Sequence, residues 1–123
     1  MDEDWPIEIR LVADKRTLVV AFADGIRHEI AAELLRVESP SAEVQGHGPG
    51  QRRLVAGKRE VRIVGIDPVG NYAVRLTFDD GHATGLYSWT FLRDIGGRQA
   101  DAMAAYEARL AAAGLDRDVP AIR

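Results

Sequence analysis

The feature that most constrains the fold is the alternation of apolar and polar residues from Tyr72 to Phe78. A period of two places successive side chains on opposite faces of a strand, so this segment predicts a β-strand with one apolar face. The next three residues, Asp79-Asp80-Gly81, contain the Asp-Gly pair that favours a hairpin turn. We therefore expect residues 82–87 to return as an antiparallel strand, in a sheet assembled from neighbouring segments.

The first third of the chain shows the same character in shorter segments. Residues 7–11 alternate, residues 17–22 are apolar and β-branched, and polar turn signals follow each of them. Residues 27–30 would then pair back as a third strand, which predicts a β-meander. Residues 60–67 alternate again and predict a further strand before a turn at 68–71.

Three segments favour helices. Residues 31–36 are good helix formers and stop before Pro40, because proline disfavours helical geometry at the residue that precedes it. Ser88 is a candidate N-cap for a short helix that ends before Gly96. Residues 99–113 are rich in alanine and favour a longer helix, whose apolar stripe is formed by Met103, Tyr106 and Leu110.

Together these segments predict an α+β fold. It has a twisted, mostly antiparallel β-sheet, a short helix before a glycine-rich loop, and helices at the C-terminus. The length of 123 residues suits a single domain. We expect that domain to span residues 1–97, with residues 98–123 packed on it as a helix and tail.

Composition excludes several classes of function. The sequence has no cysteine, so disulfides, a thiolate nucleophile and thiolate-held zinc or iron–sulfur clusters are excluded. A net charge of −3 disfavours sequence-independent binding of nucleic acid, which needs a basic face. The chain has no apolar run long enough to span a membrane, and its acidic start does not resemble a secretory signal. We therefore expect a cytoplasmic protein, with its oligomeric state left open.

No enzyme signature is present. The Gly46–Gly50 segment lacks the lysine and the following helix of a phosphate-binding loop, and no Gly-x-Ser-x-Gly segment occurs. A serine with His82 and Asp79 or Asp80 could form a catalytic triad, but Asp80-Gly81 is better explained as turn chemistry. We therefore expect no catalytic activity and no catalytic residues.

Metal binding is a further alternative. Of the three histidines, His47 lies in the glycine-rich loop and His82 opens a strand, and both could bind a metal together with Asp79, Asp80 or Glu43. Sequence spacing alone does not bring His47 and His82 together. They are therefore weak candidates for metal ligands.

Three segments together resemble the gamma-butyrobetaine hydroxylase-like N-terminal domain family. They are Leu35–Glu43, with Leu-Arg followed by Ser-Pro-Ser-Ala-Glu; Ile66–Tyr72; and Phe78–Trp89, with Asp-Asp-Gly-His and Tyr-Ser-Trp. The resemblance covers about residues 5 to 95. In the hydroxylase itself, the equivalent domain holds a structural zinc through a cysteine cluster and one later histidine. The resemblance places those cysteines at Ser39, Ser41 and Val44, and the histidine at His82.

The resemblance therefore implies a fold without its metal. Serine hydroxyls are poor zinc ligands and valine is none, so we expect no cofactor and no zinc. The catalytic domain of the hydroxylase has no counterpart in this chain, so its activity is not implied.

The resemblance also implies an accessory role. Similar domains are fused to P-loop ATPases of the scaffold type that serves iron–sulfur cluster delivery. We predict a non-catalytic module that binds a protein partner, such as an iron–sulfur scaffold ATPase, in iron–sulfur or other metal-cofactor assembly. The alternatives are a metal-binding protein using His82 and His47, and a small-molecule-binding domain related to a 2-oxoglutarate dioxygenase.

The expected partner-binding surface combines the glycine-rich loop with the segment after residue 78, because glycines permit adaptable loops and aromatic residues are common in interfaces. Its candidate residues are Ser39, Ser41, Glu43, Gln45, Gly46, His47, Asp79, Asp80, His82 and Tyr87.

Overall fold

Six strands and four helices form the part of the chain that the computed structural model describes, which is residues 5–46, 50 and 52–118. The strands are β1 (Pro6–Leu11), β2 (Thr17–Phe22), β3 (Arg27–Ala31), β4 (Ile63–Val69), β5 (Ala73–Phe78) and β6 (Leu86–Ser88). The helices are α1 (Ala32–Val37), α2 (Ala42–Gln45), α3 (Trp89–Gly97) and α4 (Gln99–Ala112). The predicted α+β class and antiparallel pairing are confirmed, and the strands divide into two three-stranded sheets.

The first sheet is the predicted meander, in the order β1-β2-β3. Strand β2 lies at its centre and pairs antiparallel with both neighbours. From Leu18 to Phe22 every residue of β2 is buried, because one face meets the core and the other is covered as well. Strand β1 carries a register shift between Pro6 and Glu8, which leaves Ile7 without a partner on β2.

The second sheet has the order β4-β5-β6 and contains the strand predicted at 72–78, which begins one residue later, at Ala73. Three details differ from the sequence expectation. Strand β4 begins at Ile63 and continues through Pro68, which an edge strand tolerates because its outer side needs no ladder hydrogen bond. Tyr72 precedes β5 and is exposed instead of joining the apolar face. The return strand pairs only at Leu86–Ser88, since residues 82–85 turn toward the segment after α1.

The helices follow their local signals closely. The Ser88 hydroxyl accepts a hydrogen bond of 3.0 Å from the Phe91 backbone N–H, which confirms the predicted N-cap of α3. Helix α3 runs through Gly96, beyond the expected end, and a Cβ at Gly96 would stand 2.4 Å from Cγ of His28. The expected glycine-rich loop is partly helical, because Ser41 caps the short helix α2.

Helix α4 packs on the same core as the two sheets. Its buried residues are Ala102, Tyr106 and Leu110, whereas Met103 is only partly buried. The Tyr106 hydroxyl donates a 2.5 Å hydrogen bond to the Val55 carbonyl, which ties the segment between α2 and β4 to the helix. None of the helices described is long and apolar enough to cross a membrane.

Candidate functional site

The segment after α1 folds around the imidazole of His82. The Ser39 hydroxyl lies 2.9 Å from Nε2 of His82, and Nδ1 of the same ring lies 3.0 Å from a carboxylate oxygen of Glu43. The ring also contacts Phe78, with the two ring centroids 6.0 Å apart. We call Ser39, Ser41, Glu43, His82 and Thr84 the His82 cluster.

Local turn chemistry sets the geometry of the cluster. The Ser41 hydroxyl accepts a hydrogen bond from the Glu43 backbone N–H at 3.1 Å, which starts α2 and carries Glu43 toward the ring. The Ser41 backbone N–H donates to the Ser39 hydroxyl at 3.2 Å. The hydroxyl groups of Ser41 and Thr84 are 2.6 Å apart, and the Gln45 amide donates to the Ser39 carbonyl at 2.9 Å. The cluster therefore joins two segments that are distant in sequence.

Gly85 allows the two segments to approach. A Cβ there would lie 2.5 Å from the Ser39 hydroxyl oxygen and 2.9 Å from Cε1 of Tyr87, so a side chain is sterically excluded. The Tyr87 hydroxyl donates a 2.6 Å hydrogen bond to the Leu35 carbonyl, and burial raises the pKa of this phenol. Tyr87 thus anchors β6 to the end of α1.

Asp80 is the charged neighbour of the cluster. Its carboxylate lies 2.7 Å from both Arg36 and Lys58 and accepts the His82 backbone N–H at 3.0 Å. Partial burial acts to raise the pKa of Asp80, but the hydrogen bonds from Lys58, His82 and Arg36 outweigh it and lower the pKa to about 2. Asp80 is therefore ionised and occupied by structural contacts.

Burial and the nearby Arg36 guanidinium lower the pKa of His82 below its ordinary value, although Glu43 acts in the opposite direction. The imidazole is therefore neutral at pH 7. A neutral ring has one N–H, which Nδ1 donates to the Glu43 carboxylate, so Nε2 accepts from the Ser39 hydroxyl. Both nitrogens are then occupied within the protein.

Serine, histidine and carboxylate stand here in the order of a catalytic relay. Ser39, however, is 0% exposed, so its hydroxyl meets no solvent and no substrate in this conformation. The acid that contacts the His82 imidazole is Glu43, whereas Asp80, which the triad alternative had offered, bonds only to the His82 backbone N–H. The arrangement can hold the chain together, and a reaction at Ser39 would require the cluster to open.

The partner-binding candidates divide by exposure. Glu43, Asp79 and Asp80 are exposed residues, although the side chain of Asp80 is only 17% exposed, and Gln45 and Gly46 are half-buried. Four are buried and build the cluster or the core instead of a surface, namely Ser39, Ser41, His82 and Tyr87. His47 lies outside the described residues. Among the residues that are described, no group of three or more histidine, aspartate or glutamate side chains could hold a metal ion.

A second candidate site, which the sequence patterns did not reveal, lies between the sheets. Residues 5–9 form one wall of a cleft of about 520 Å³, and its remaining lining comes from Ile66, Pro68, Asn71, Val74 and Trp89. We call this the Trp5 cleft. Trp5 and Ile7 at its edge are 40% and 72% exposed. The available signal was a tryptophan directly before the first strand, outside the alternating pattern.

The sequence from residue 9 to residue 93 matches the family model described as gamma-butyrobetaine hydroxylase-like, N-terminal. The chain belongs to this family. Among curated proteins, no sequence matches it. The resemblance found in the sequence is therefore confirmed. It assigns the chain to a family, and the function of that family is not established.

Solved structures agree with this membership in the gamma-butyrobetaine hydroxylase-like N-terminal family. A crystal structure of a protein of unknown function from Acidithiobacillus ferrooxidans, of the DUF971 family, is 39% identical, with a TM-score of 0.65. The match covers 78% of this chain and 98% of that one. A solution NMR structure is 49% identical with a TM-score of 0.79, and covers 95% of this chain and 86% of that one. A second solution NMR structure is 44% identical with a TM-score of 0.79, and the match covers 92% of this chain and 89% of that one.

The four positions at which the family resemblance implies zinc ligands do not fit a metal in this chain. Ser39 and His82 are in direct contact, but the His82 nitrogens are engaged by Ser39 and Glu43. Val44 is buried and offers no donor atom. Two neutral hydroxyls and an isopropyl group cannot replace thiolates, so hydrogen bonds occupy the place that a metal would otherwise take.

Proposed function

We propose that the chain is a non-catalytic binding module that presents the Trp5 cleft to a protein partner. The observation that carries the proposal is the exposure of Trp5 and Ile7 beside a cavity with a largely apolar lining. Exposed apolar residues beside a groove are typical of interaction sites, and tryptophan is enriched among residues that dominate binding energy. The burial of Ser39 supports a structural rather than a catalytic role for the His82 cluster.

The biological setting we propose is cytoplasmic assembly of iron–sulfur or other metal cofactors, with a P-loop scaffold ATPase as partner. The support is the family membership together with the fusion of similar domains to such ATPases. Glu43 of the His82 cluster and Asp79 are exposed, and they provide a second, polar contact area for the same partner.

Association with a purified P-loop scaffold ATPase from the same genome tests the proposal. Ile7→Glu places a charge at the edge of the cleft, and we expect it to weaken binding at least about tenfold, as for a central interface residue. Val64→Glu is the matched control, because Val64 is 50% exposed on β4 and does not line the cleft. Calorimetry that detects no association, or equal weakening by both variants, would contradict the proposal.

A small-molecule function is the second candidate, because the cleft volume falls within the range of about 300 to 1,000 Å³ that is usual for ligand pockets. Glu8 is the only charged residue among the described lining residues, which disfavours 2-oxoglutarate. The indoles of Trp5 and Trp89 could instead face a trimethylammonium group. Thermal-shift measurements with 2-oxoglutarate and with trimethylammonium compounds distinguish the two ligand classes. If neither class raises the melting temperature, the small-molecule function is rejected.

Metal binding through His82 and His47 has less support. Both ring nitrogens of His82 have partners within 3.0 Å, so a metal would have to displace Ser39 or Glu43.

A further inference from the structure

We infer that the occupant of the Trp5 cleft is an extended peptide segment of the partner, which pairs with β1 as a fourth strand of the first sheet. This inference rests on the proposed function and names the form in which the partner is recognised. Extended peptides commonly bind to an exposed sheet edge, where backbone hydrogen bonds supply affinity and alternate side chains supply specificity.

Strand β1 has a free edge beside the cleft. In the first sheet β1 is bonded to β2 alone, so among the described residues no strand occupies its other side. Five consecutive residues, 5–9, line the cleft. Glu8 and Ile9 lie in regular register beyond the bulge, so their side chains project to opposite faces, and because both line the cleft the backbone edge between them borders the space. An occupant of this space therefore meets unpaired backbone donors and acceptors.

The floor of the cleft is one face of the second sheet. Pro68 and Val74 are direct partners across β4 and β5, and Ile66 lies two residues before Pro68, so all three share that face. The backbone N–H of Ile63 donates to the Lys15 carbonyl at 2.8 Å, which joins the sheets at the other end of β1. The space beside residues 5–9 is thus closed at the end of β1 that lies nearest Lys15.

The bulge at Ile7 suits a recognition edge. Since Ile7 has no partner on β2, its side chain is released from the ladder and is 72% exposed. Bulges often re-aim a side chain next to a functional site. Ile7 and Trp5 can therefore close over an added strand from the solvent side.

The lining also defines the chemistry of the peptide. Alternate side chains would face Ile66, Pro68 and Trp89, so we expect apolar residues at every second position. Glu8 is ionised and already paired with Arg10 and Arg27, at 2.7 and 3.1 Å. Like charges on adjacent strands are destabilising, so we expect no acidic residue beside Glu8.

The test uses a library of random linear decapeptides displayed on phage and selected on the full chain, with counter-selection on the Ile7→Glu variant. An enriched peptide is then synthesised and its binding followed by intrinsic fluorescence. The sequence contains two tryptophans, Trp5 and Trp89, and both line the cleft, so the signal reports on this site. Val64→Glu serves as the control that keeps binding.

Backbone pairing is tested by methylating the peptide nitrogens one at a time. A strand edge accepts alternate N–H groups, so we expect affinity to fall about tenfold at every second position and little elsewhere. A Trp5→Ala variant gives a second loss of binding that does not depend on the charge introduced by Ile7→Glu.

Three results would overturn the inference. Methylation without a period of two means that the peptide binds without strand pairing, and the proposed function would survive if Ile7→Glu still released the ATPase. If the selection yields no peptide that binds the full chain and fails to bind the Ile7→Glu variant, then the cleft does not bind a linear segment. A dimer by light scattering that Ile7→Glu converts to a monomer assigns the cleft to a second copy of the chain.

Discussion

The hydroxyl oxygen of Ser39 lies 2.9 Å from Nε2 of His82, although the two residues are 43 positions apart in the sequence. Ser39 follows helix α1, whereas His82 follows strand β5. Their contact connects the helix that follows the first sheet to the connection between β5 and β6 of the second sheet. Both side chains are buried, so the bond is shielded from water.

The first prediction concerns this bond. Ser39→Ala leaves Nε2 of His82 without a donor and the Ser41 N–H without its acceptor, and we expect the free energy of unfolding to fall by about 1 to 3 kcal/mol. Urea denaturation measures the loss, with the exposed Thr90→Ala as a control that changes it by less than about 0.5 kcal/mol. A double-mutant cycle with His82→Ala should give a coupling of at least about 0.5 kcal/mol, and strict additivity would contradict a direct interaction.

The second prediction concerns pH. Burial lowers the pKa of His82 below 6.5 in the folded protein, so the unfolded chain binds the proton more readily. Stability should therefore be unaffected by this group above about pH 6.5 and fall as the pH decreases below it. Burial lowers the pKa of His28 in the same direction. Urea titrations from pH 7 to pH 5 should show a smaller loss for His82→Asn than for the unmodified chain. Greater stability at pH 5 than at pH 7 in the unmodified chain would reverse the sign and reject this account.

The third prediction compares two glycines. Gly85→Ala forces a Cβ to within 2.5 Å of the Ser39 hydroxyl oxygen, so we expect a loss of about 1 to 3 kcal/mol. A Cβ at Gly97 in α3 would have no atom within 4 Å, and alanine favours helices. The free energy of unfolding of the Gly97→Ala variant should therefore stay equal or rise by up to about 1 kcal/mol. Thermal and urea unfolding of both variants check the contrast. Equal effects would show that the close approach at Gly85 is not required.

The fourth prediction concerns the segment that follows α4. Arg117 binds both carboxylate oxygens of Glu33, at 2.6 and 2.8 Å, and the Glu33 side chain is 5% exposed. Arg117→Ala leaves that carboxylate buried without its main partner, and we expect a loss of about 2 to 3 kcal/mol, since Arg117 itself is partly exposed. Arg98→Ala is the control, because its pair with Asp94 is exposed and should contribute less than about 0.5 kcal/mol. A similar loss in both variants would argue against a special role for Glu33.

The fifth prediction concerns zinc. Replacing Ser39, Ser41 and Val44 by cysteine supplies three thiolates next to His82, so we expect the triple variant to bind one zinc ion per chain. Elemental analysis of untagged protein measures it, and the unmodified chain should retain none. Adding His82→Ala to the triple variant should weaken zinc retention. If the unmodified chain carries stoichiometric zinc, then the metal-free account of the cluster is wrong.

Local patterns were sufficient for most elements of the fold. The alternation at 72–78, the N-cap at Ser88 and the alanine-rich segment 99–113 depend on neighbours in the sequence. The structure has a strand at 73–78, a helix capped by Ser88 and a helix at 99–112. The return strand after Gly81 was shorter than predicted because residues 82–85 take part in contacts with Ser39 and Ser41. No local rule reports such a contact.

The candidate site was only partly accessible from the sequence. The segments Leu35–Glu43 and Phe78–Trp89 were identified together by their resemblance to the family, and the structure brings Ser39, Glu43 and His82 into contact. The burial of Ser39 could not be read from the sequence, because it depends on Gly85 and Tyr87 from another segment. The Trp5 cleft was missed altogether, since its walls come from two different sheets.

The sequence by itself determined the α+β class, the order of the strands and of the helices other than α2, and the loss of thiolates at the positions where the family resemblance implies zinc ligands. These properties follow from periods of two and 3.6 residues, from turn and cap residues, and from composition. Only the tertiary structure decided that Ser39 bonds to His82 and Ser41 to Thr84, and that Trp5 lines a cleft between the two sheets. The physical reason is that hydrogen bonding and burial between distant segments depend on how the two sheets pack.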